Sequence, residues 1–169
     1  TRAVVPNMRR QGGGRIINIG SVLGFLPAPY MAIYAATKHA VEGYSESLDH
    51  ELRTRGIRVS VVEPAYTKTK FDANLLTADA LMDDYSAARA GLNARMAQLF
   101  AAGDEPAVVA GVVLQAATAA SPKIRYTAGG LAGRLQLLRR YAPASLVDAG
   151  VRKDLRLDTK SAELVRAAS

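Results

Sequence analysis

Residues 15–20, RIINIG, and residues 57–64, IRVSVVEP, are two short runs rich in β-branched side chains. Apolar runs of this length that close on Gly or Pro are typical of strands buried on both faces of a sheet. Between them no proline interrupts the chain from Ile33 to Arg55, and Gly56 stands where a helix would end. The stretch 15–64 therefore predicts a strand, a helix and a second, parallel strand, joined by a right-handed crossover.

The remaining sequence adds further elements around this unit and predicts an α/β fold with about three parallel strands. Apolar side chains at helical spacing indicate the face of the central helix that packs on the sheet: Ala35, Ala36, Ala40, Val41, Tyr44, Leu48 and Leu52. We expect the end of a helix before a turn at Gly12–Gly14, one or two helices within 65–103, a buried helix over Ala107–Ala120 started by Asp104-Glu105-Pro106, a third strand over Ile124–Ala128, and short helices over 130–150 broken at Pro143.

The composition excludes several classes of protein and site. The 169 residues suit one domain or most of one, and no apolar run is long enough for a membrane-spanning helix. Cys is absent, which excludes disulfides, thiolate metal sites and a Cys nucleophile. The two histidines, His39 and His50, are expected on the surface rather than in a metal site. We expect a cytoplasmic protein without a signal peptide and, because the chain lacks an initiator Met, one longer than these residues.

The net charge of +7 is concentrated near the C-terminus, where residues 123–169 carry 10 Lys or Arg against 4 Asp or Glu. A basic segment suits nucleic acid, anionic lipid or simple solubility. Because no nucleic-acid-binding motif accompanies it and aromatic residues are few, we expect no nucleic-acid partner. Solubility and a weak membrane-surface contact through the C-terminus stay open, and residues 151–169 are expected to form a basic, frayed tail after a domain of residues 1–150.

Polar side chains gather where the two predicted strands end. Ser21 follows the first strand, Tyr34 and Lys38 open the next helix, and Thr67 and Thr69 follow the second strand. Because ligands of open α/β sheets bind outside the carboxyl ends of the strands, these residues should meet at one rim. The plainer alternatives are a surface Tyr and Lys, a loop-capping Ser21, and Thr67 and Thr69 as helix N-caps.

Tyr34 and Lys38 lie one turn apart on the same face of the predicted helix. A phenol has an ordinary pKa of about 10, and a neighbouring ammonium favours the phenolate and lowers that pKa. Tyr34 could then act as a general acid or base while Ser21 hydrogen-bonds the oxygen of a substrate. Protonation of a carbonyl oxygen needs a partner that attacks the carbon, and an external hydride donor fits that requirement.

Taken together, GRIINIGSVLG, YAATKHAV and IRVSVVEPAYTKTKF resemble the short-chain dehydrogenase/reductase family, and the resemblance extends over the whole chain as roughly the C-terminal two-thirds of such a protein. It implies part of a Rossmann-like doubly wound parallel sheet and an oxidoreductase that uses NAD or NADP to interconvert an alcohol and a ketone or aldehyde. The implied catalytic residues are Ser21, Tyr34 and Lys38, and the implied cofactor-binding residues are Asn18, Gly20, Tyr34, Lys38, Pro64, Thr67 and Thr69. No metal is implied.

The sequence departs from the family pattern at three places. Ala65 stands where the family usually has Gly, so the backbone there must accept a Cβ. The Gly-rich phosphate loop is absent, and AGGLAG at 128–133 is expected to be only a turn and helix start. The catalytic Asn of the family and the residue that selects NAD or NADP would lie before Thr1. Without that preceding segment, the strand at 15–19 would be an exposed apolar edge and the chain alone would be unstable.

The resemblance also bears on the substrate and on alternative functions. Residues 70–103 should form a lid over the rim, and their Leu, Met, Phe and Ala content favours a small apolar alcohol or ketone substrate. Family members commonly pair through the helix that carries Tyr34, so we expect a homo-oligomer. The alternatives are a non-catalytic dinucleotide sensor or assembly protein, an inactive fragment of the enzyme, and a lipid-surface module built on the basic tail.

Overall fold

A three-stranded parallel sheet organises the protein, with the strands in the order β1–β2–β3. Strand β1 spans Gly14–Ile19, β2 spans Ile57–Pro64 and β3 spans Arg125–Ala128. Both neighbouring pairs are parallel. The predicted α/β class and all three strands are thereby confirmed. The structure is a computed structural model that describes residues 1–71, 74–75, 78–155 and 157.

The α-helices flank the sheet and alternate with its strands, as the crossover predicted. Their bounds are Val5–Arg10 for α1, Ala32–Leu52 for α2, Ser86–Ala101 for α3, Pro106–Thr118 for α4, Gly130–Tyr141 for α5 and Ala144–Asp154 for α6. Helix α2 continues as a 3-10 turn over Arg53–Arg55 and ends at Gly56, whose φ of 73° is left-handed. The predicted helix end at Gly56 and the break at Pro143 are both confirmed.

Helices cover both faces of the sheet. On one face Ile57 and Val59 of β2 pack with Met8 of α1 and Leu48 of α2. On the other face Val62 of β2 packs with residues of α4 that include Ala116. Because successive side chains of a strand point to opposite faces, the odd positions of β2 face α2 and the even positions face α4. Glu63, at an odd position of β2, therefore lies on the side of the sheet that faces α2.

The buried face of α2 differs from the predicted one. Ala36, Ala40 and Tyr44 are exposed, whereas the fully buried positions are Ala35, Glu42, Ser45 and Asp49. The helical period was right, but three polar side chains occupy the centre of the stripe. Ser45 and Asp49 can be buried because they have hydrogen-bond partners on the strands: the Asn18 amide donates to Ser45 Oγ at 2.8 Å, and the backbone N–H of Val59 donates to Asp49 Oδ1 at 2.8 Å.

Helix α4 begins as predicted but is not a buried helix. Pro106 occupies its first turn directly after Glu105. Only Ala116 is buried among its residues, while Leu114 is 64% exposed. One side of α4 packs on the sheet and the described residues leave the other side uncovered. The expectation of a buried helix was therefore wrong for the described structure.

The C-terminal helix extends past the expected start of the tail. Helix α6 runs to Asp154, and Leu155 directly after it is buried at 7% exposure. Residues 156 and 158–169, on which most of the frayed-tail and membrane-contact expectations fall, lie outside the described residues. None of the helices in the described part of the chain combines the length and hydropathy that crossing a bilayer requires.

Candidate functional site

A cavity of about 650 Å³ opens at the carboxyl ends of β1 and β2. It has the position that the strand-end rule predicts for a ligand site. Seven of the eight predicted site residues line it: Gly20, Ser21, Tyr34, Lys38, Pro64, Thr67 and Thr69. Residues separated by nearly fifty positions in the sequence are thus gathered around one space.

Ser21 is held rigidly at the rim of this cavity. It is the N-cap of a 3-10 turn over Val22–Gly24, and its Oγ accepts a hydrogen bond from the backbone N–H of Leu23 at 3.1 Å. The capping role foreseen as the plainer alternative is therefore real. It coexists with a second effect, because the Ser21 side chain also lowers the pKa of the Tyr34 phenol. Ser21 is buried at 7% exposure, so its hydroxyl is fixed where a substrate oxygen could meet it.

Lys38 lies one turn after Tyr34 on α2, as the spacing predicted. Its Nζ donates to the carbonyl oxygen of Ile19 at 3.0 Å and lies 5.6 Å from the centre of the Tyr34 ring. The ammonium is therefore anchored to the end of β1 beside the phenol. On its other side, the Tyr34 ring makes an edge-to-face contact with Phe71 at 5.3 Å between centroids.

The electrostatics of the pair differ from the simple expectation. Burial raises the pKa of Tyr34 above 10.0, and the Ser21 side chain opposes that rise only in part. Burial likewise lowers the pKa of Lys38, while the negative charge of Glu42 one turn further along raises it. Desolvation is the largest effect on both groups, and the pKa of Tyr34 is raised rather than lowered as predicted.

Asn18 is the one predicted site residue that does not line the cavity. It lies on β1, and its amide donates to Ser45 Oγ on α2 at 2.8 Å. Ser45 in turn donates to the carbonyl oxygen of Val41 at 2.6 Å. In the structure the Asn18 side chain therefore joins β1 to α2, and its assignment to cofactor binding stays a prediction.

The segment after β2 forms the second side of the rim. Thr67 bridges to Asp104, and Lys68 N–H donates to the Asp104 carbonyl oxygen at 2.9 Å. The Thr69 hydroxyl accepts from the backbone N–H of Phe71 at 3.3 Å. Ala65 lies among the lining residues without a positive φ, so the Cβ that replaces the usual Gly is accommodated without strain.

Apolar side chains form the floor and far wall of the cavity. Leu92, Met96 and Phe100 of α3 line it, as expected for a lid within 70–103. Phe100 contacts both Phe71 and Tyr66, with centroids 5.8 and 5.4 Å apart. Leu75, Leu81 and Met82 of the same segment are exposed, and Leu76 lies outside the described residues.

Three functional candidates escaped the sequence analysis. Leu155 lines the cavity, and an ion pair between Arg95 of α3 and Asp154 of α6, at 2.5 Å, secures its position. Glu42 and Glu63 are buried directly behind the rim. Glu42 did carry a signal, since it continues the spacing of four residues that relates Tyr34 to Lys38. Leu155 carried none, because it stands in a charged stretch that resembles a frayed end.

The sequence AGGLAG at 128–133 is a turn and helix start, as predicted. Gly129 has a φ of 88° and precedes the first residue of α5. The carboxylate of Asp104 lies directly against Gly129, in the space that a Cβ would take. A negative charge at this helix start disfavours a phosphate there.

Part of the chain matches a known protein family, and several known proteins are similar to it in sequence. Residues 1–80 match the family model described as short chain dehydrogenase. An uncharacterized oxidoreductase of Escherichia coli strain K12, YbbO, is 33% identical over 148 residues, which cover 88% of this chain and 52% of that protein. The chain spans about half the length of the curated relatives it matches.

Solved structures agree with the fold. A short-chain dehydrogenase from Streptomyces avermitilis superposes with a TM-score of 0.66 and 29% identity, over 99% of this chain and 57% of that one. A short-chain dehydrogenase/reductase from Burkholderia phymatum in complex with NAD gives a TM-score of 0.62 and 28% identity, over 82% of this chain and 52% of that one. The parallel sheet with helices on both faces is therefore Rossmann-like.

Proposed function

This chain belongs to the short-chain dehydrogenase family, and we propose that the whole protein is an NAD(P)-dependent oxidoreductase that interconverts an alcohol and a ketone or aldehyde. The observation that carries the proposal is the convergence of Ser21, Tyr34 and Lys38 on one cavity at the carboxyl ends of the strands. Residues 1–150 would form the C-terminal part of a single domain of that enzyme.

The chemistry assigns a separate task to each side chain. The Ser21 hydroxyl orients the substrate carbonyl oxygen, and the Tyr34 phenol donates the proton that this oxygen gains on reduction. Lys38 supplies positive charge beside the phenolate that remains. When bound, the nicotinamide supplies the hydride that the carbonyl carbon accepts. In the oxidation direction Tyr34 takes the hydroxyl proton instead.

The donor set at the rim suits the nicotinamide half of the cofactor. Thr67 and Thr69 line the cavity together with Pro64 and Lys38. Hydroxyl and ammonium groups are suitable partners for a carboxamide and for ribose hydroxyls. This chain would hold the nicotinamide and its ribose, and the choice between NAD and NADP belongs to other residues of the whole protein.

The cavity wall favours an apolar substrate. Several apolar residues line the same cavity as Tyr34: Leu92, Met96 and Phe100 from α3, Val113 from α4 and Leu155 after α6. Pockets of this kind fix a ligand by a few polar groups and bury the rest of it against apolar side chains. The proposed substrate is therefore an apolar alcohol or ketone whose oxygen meets Ser21 and Tyr34.

We further propose that the whole protein self-associates through the outer face of α2. Ile33 is 81% exposed and Tyr44 is 52% exposed, and the small residues Ala36 and Ala40 lie between them on the helix. Small residues allow close approach of a second helix, while the two large side chains supply apolar area. The occupant of this face would be the same helix of a second copy.

The test of the oxidoreductase proposal compares Tyr34→Phe with the wild-type full-length protein. Nicotinamide fluorescence measures binding of NADH and NADPH, and absorbance measures reduction of a panel of apolar ketones. We expect both proteins to bind cofactor and the Phe variant to lose about a thousandfold or more in kcat, because the proton donor is gone. Tyr44→Phe on the exposed side of the same helix is the matched control and should keep full activity.

Two results would count against the proposal. Equal turnover in the wild type and in Tyr34→Phe would show that the phenol is not the proton donor. Cofactor binding without turnover of any ketone or alcohol, in either protein, would favour the non-catalytic dinucleotide sensor.

A further inference from the structure

Two carboxyl groups are buried side by side directly beneath the rim of the cavity. Glu42 of α2 is 3% exposed and Glu63, the residue before Pro64 of β2, is 0% exposed. The two groups lie within hydrogen-bond reach of each other. Within the described residues, both oxygens of Glu42 and the Oε1 of Glu63 have no hydrogen-bond donor. Buried oxygens without donors are costly, so this cluster requires a physical explanation.

The positive charge nearby is insufficient for two ionised carboxylates. The Nη1 of Arg125 on β3 lies 3.7 Å from Glu42 Oε2 and 3.7 Å from Glu63 Oε1. The same guanidinium also pairs with Glu46 at 3.0 Å, so one cation faces three carboxyl groups. Two adjacent carboxyls in such a place do not both ionise, because their repulsion adds to the loss of hydration.

The single donor to Glu63 indicates which oxygen would carry a proton. Gln136 Nε2 of α5 donates to Glu63 Oε2 at 3.1 Å. That oxygen therefore acts as the carbonyl acceptor of a neutral carboxylic acid, and Oε1 is left to carry the hydrogen. A hydroxyl at Glu63 Oε1 can donate to one oxygen of Glu42, which accounts for two of the three oxygens that have no donor.

Glu42 contacts the elements that carry the site. A Cβ built on Gly20 would lie 2.5 Å from Glu42 Oε1, and one built on Gly24 would lie 2.7 Å from Glu42 Cγ. The carboxyl group thus lies under the turn that bears Ser21, and only glycine allows that approach. Glu42 also lies one helical turn after Lys38, and its negative charge raises the pKa of Lys38.

We propose that Glu42 and Glu63 share a single proton carried on Glu63. The ionised Glu42 is then a positioning residue: it packs under the turn that bears Ser21 and places a negative charge near the Lys38 ammonium. The first half of this proposal concerns only the buried cluster. The role behind Ser21 and Lys38 rests on the proposed oxidoreductase function.

The electrostatics of the cluster agree with this assignment. Burial, and next the negative charge of Glu42, raise the pKa of Glu63 to about 7. Burial also raises the pKa of Glu42, and Arg125 lowers it. The charged or polar groups that face the pair come from every surrounding element: Lys38, His39 and Glu46 of α2, Arg125 of β3 and Gln136 of α5.

The shared proton has a direct spectroscopic test in the full-length protein. Near pH 6, exposed carboxyls are ionised, so the infrared band of a protonated carboxylic acid reports a buried one. We expect this band in the wild type and in Glu46→Gln, the matched control that also removes a carboxyl from Arg125. The band should be absent in Glu63→Gln, whose amide replaces the protonated acid and can still donate to Glu42. Absence of the band from the wild type overturns the proposal, whether or not the variants fold.

The same variants separate the cluster from the catalytic role. The pKa of Glu63 is about 7 in the folded protein, above its ordinary value of 4.5. Folding therefore takes up about one proton between these two pH values, and the free energy of unfolding of the wild type falls as pH rises from 4.5 to about 7. Glu63→Gln should remove this fall.

Glu42→Gln, which takes negative charge away from Lys38 and Tyr34, should move the acid limb of the pH–rate profile of alcohol oxidation down by about half a pH unit or more. An unmoved limb with the infrared band present overturns the positioning role alone.

If no variant and no wild-type protein turns over an alcohol, the proposed function fails while the infrared and stability measurements still decide the shared proton. If activity is present but the band is missing from the wild type, the oxidoreductase proposal stands and the inference about Glu42 and Glu63 fails.

Discussion

Asp49 is a carboxylate with no exposed surface that joins α2 to the start of β2. Its Oδ1 accepts from Arg58 Nε and from the backbone N–H of Val59, both at 2.8 Å, and Arg53 pairs with Oδ2. Burial opposes ionisation, but the hydrogen bonds from Arg58, Arg53 and Val59 prevail and lower the pKa of Asp49 to about 2. This carboxylate stays ionised inside the protein because each oxygen has charged donors.

We expect Asp49→Ala to destabilise the full-length protein by about 3 kcal/mol or more, because it leaves the Val59 N–H and two guanidinium groups without their acceptor. Since the pKa of Asp49 is below its ordinary 3.8, its contribution is complete above that pH and is lost as pH falls towards 2. Urea unfolding at several pH values measures both effects.

Glu51, exposed on the same helix, is the control for Asp49, and Glu51→Ala should change stability by no more than about 0.5 kcal/mol. A loss in Asp49→Ala that is no larger than this would contradict the buried network. An acid sensitivity that persists unchanged in Asp49→Ala would show that other carboxyls control unfolding at low pH.

At the residue scale, the sequence predicted the side chains of the rim but not the charges behind it. Ser21, Tyr34 and Thr67 could be predicted because parallel strands end at the same edge of a sheet, whatever the details of packing. Glu42 and Glu63 could not, because Arg125, the cation that contacts both, lies on β3 and far along the chain. Local patterning treats a Glu in a helix as a solvated residue, and only the tertiary fold reveals its partners.

At the scale of elements, the turn from α2 into β2 depends on Gly56. Its φ is 73°, and a Cβ there would lie 2.6 Å from the carbonyl oxygen of Gly12. The turns at Gly12–Gly14 and at Gly56 also lie side by side where β1 and β2 begin, since Gly14 N–H donates to the Gly56 carbonyl oxygen at 3.2 Å. A side chain at position 56 therefore meets both a backbone penalty and a steric one.

We expect Gly56→Ala to lower the free energy of unfolding by about 2 kcal/mol or more. The matched control is Gly111→Ala on α4, where the glycine is exposed in a helix and a Cβ would meet nothing within 4 Å. That substitution should stabilise the protein by about 0.5–1 kcal/mol, because Ala restricts the unfolded chain. Thermal and urea unfolding measure both variants, and effects of the same sign would contradict the argument.

The elements were predictable to different degrees for physical reasons. The βαβ unit was found because β-branched runs, a proline-free helix and a terminal Gly are local signals. The buried face of α2 was misjudged because Ser45 and Asp49 are buried through hydrogen bonds to β1 and β2, which hydrophobic spacing does not record. Helix α4 was expected to be buried, yet the described residues cover only one side of it.

At the scale of the whole molecule, two surfaces are incomplete within the described residues. Strand β1 pairs with β2 alone, so its other edge presents unpaired backbone groups. The outer face of α2 presents Ile33, Ala36, Ala40 and Tyr44. Unpaired edges and contiguous apolar faces are where proteins add further strands or partners. The chain spans about half the length of its curated relatives.

The α2 face leads to a prediction about assembly. We expect Ala40→Arg to reduce the native mass of the full-length protein in light scattering to that of a smaller species, because a helix packed on this small residue leaves no room for a desolvated guanidinium. Ala107→Arg, exposed on α4 at the opposite face of the sheet, introduces the same charge and should leave the mass unchanged. Far-UV circular dichroism of both variants should match the wild type, since both positions are exposed. If both variants keep the wild-type mass, α2 is not the contact between copies, and its apolar face must pack against another part of the same chain.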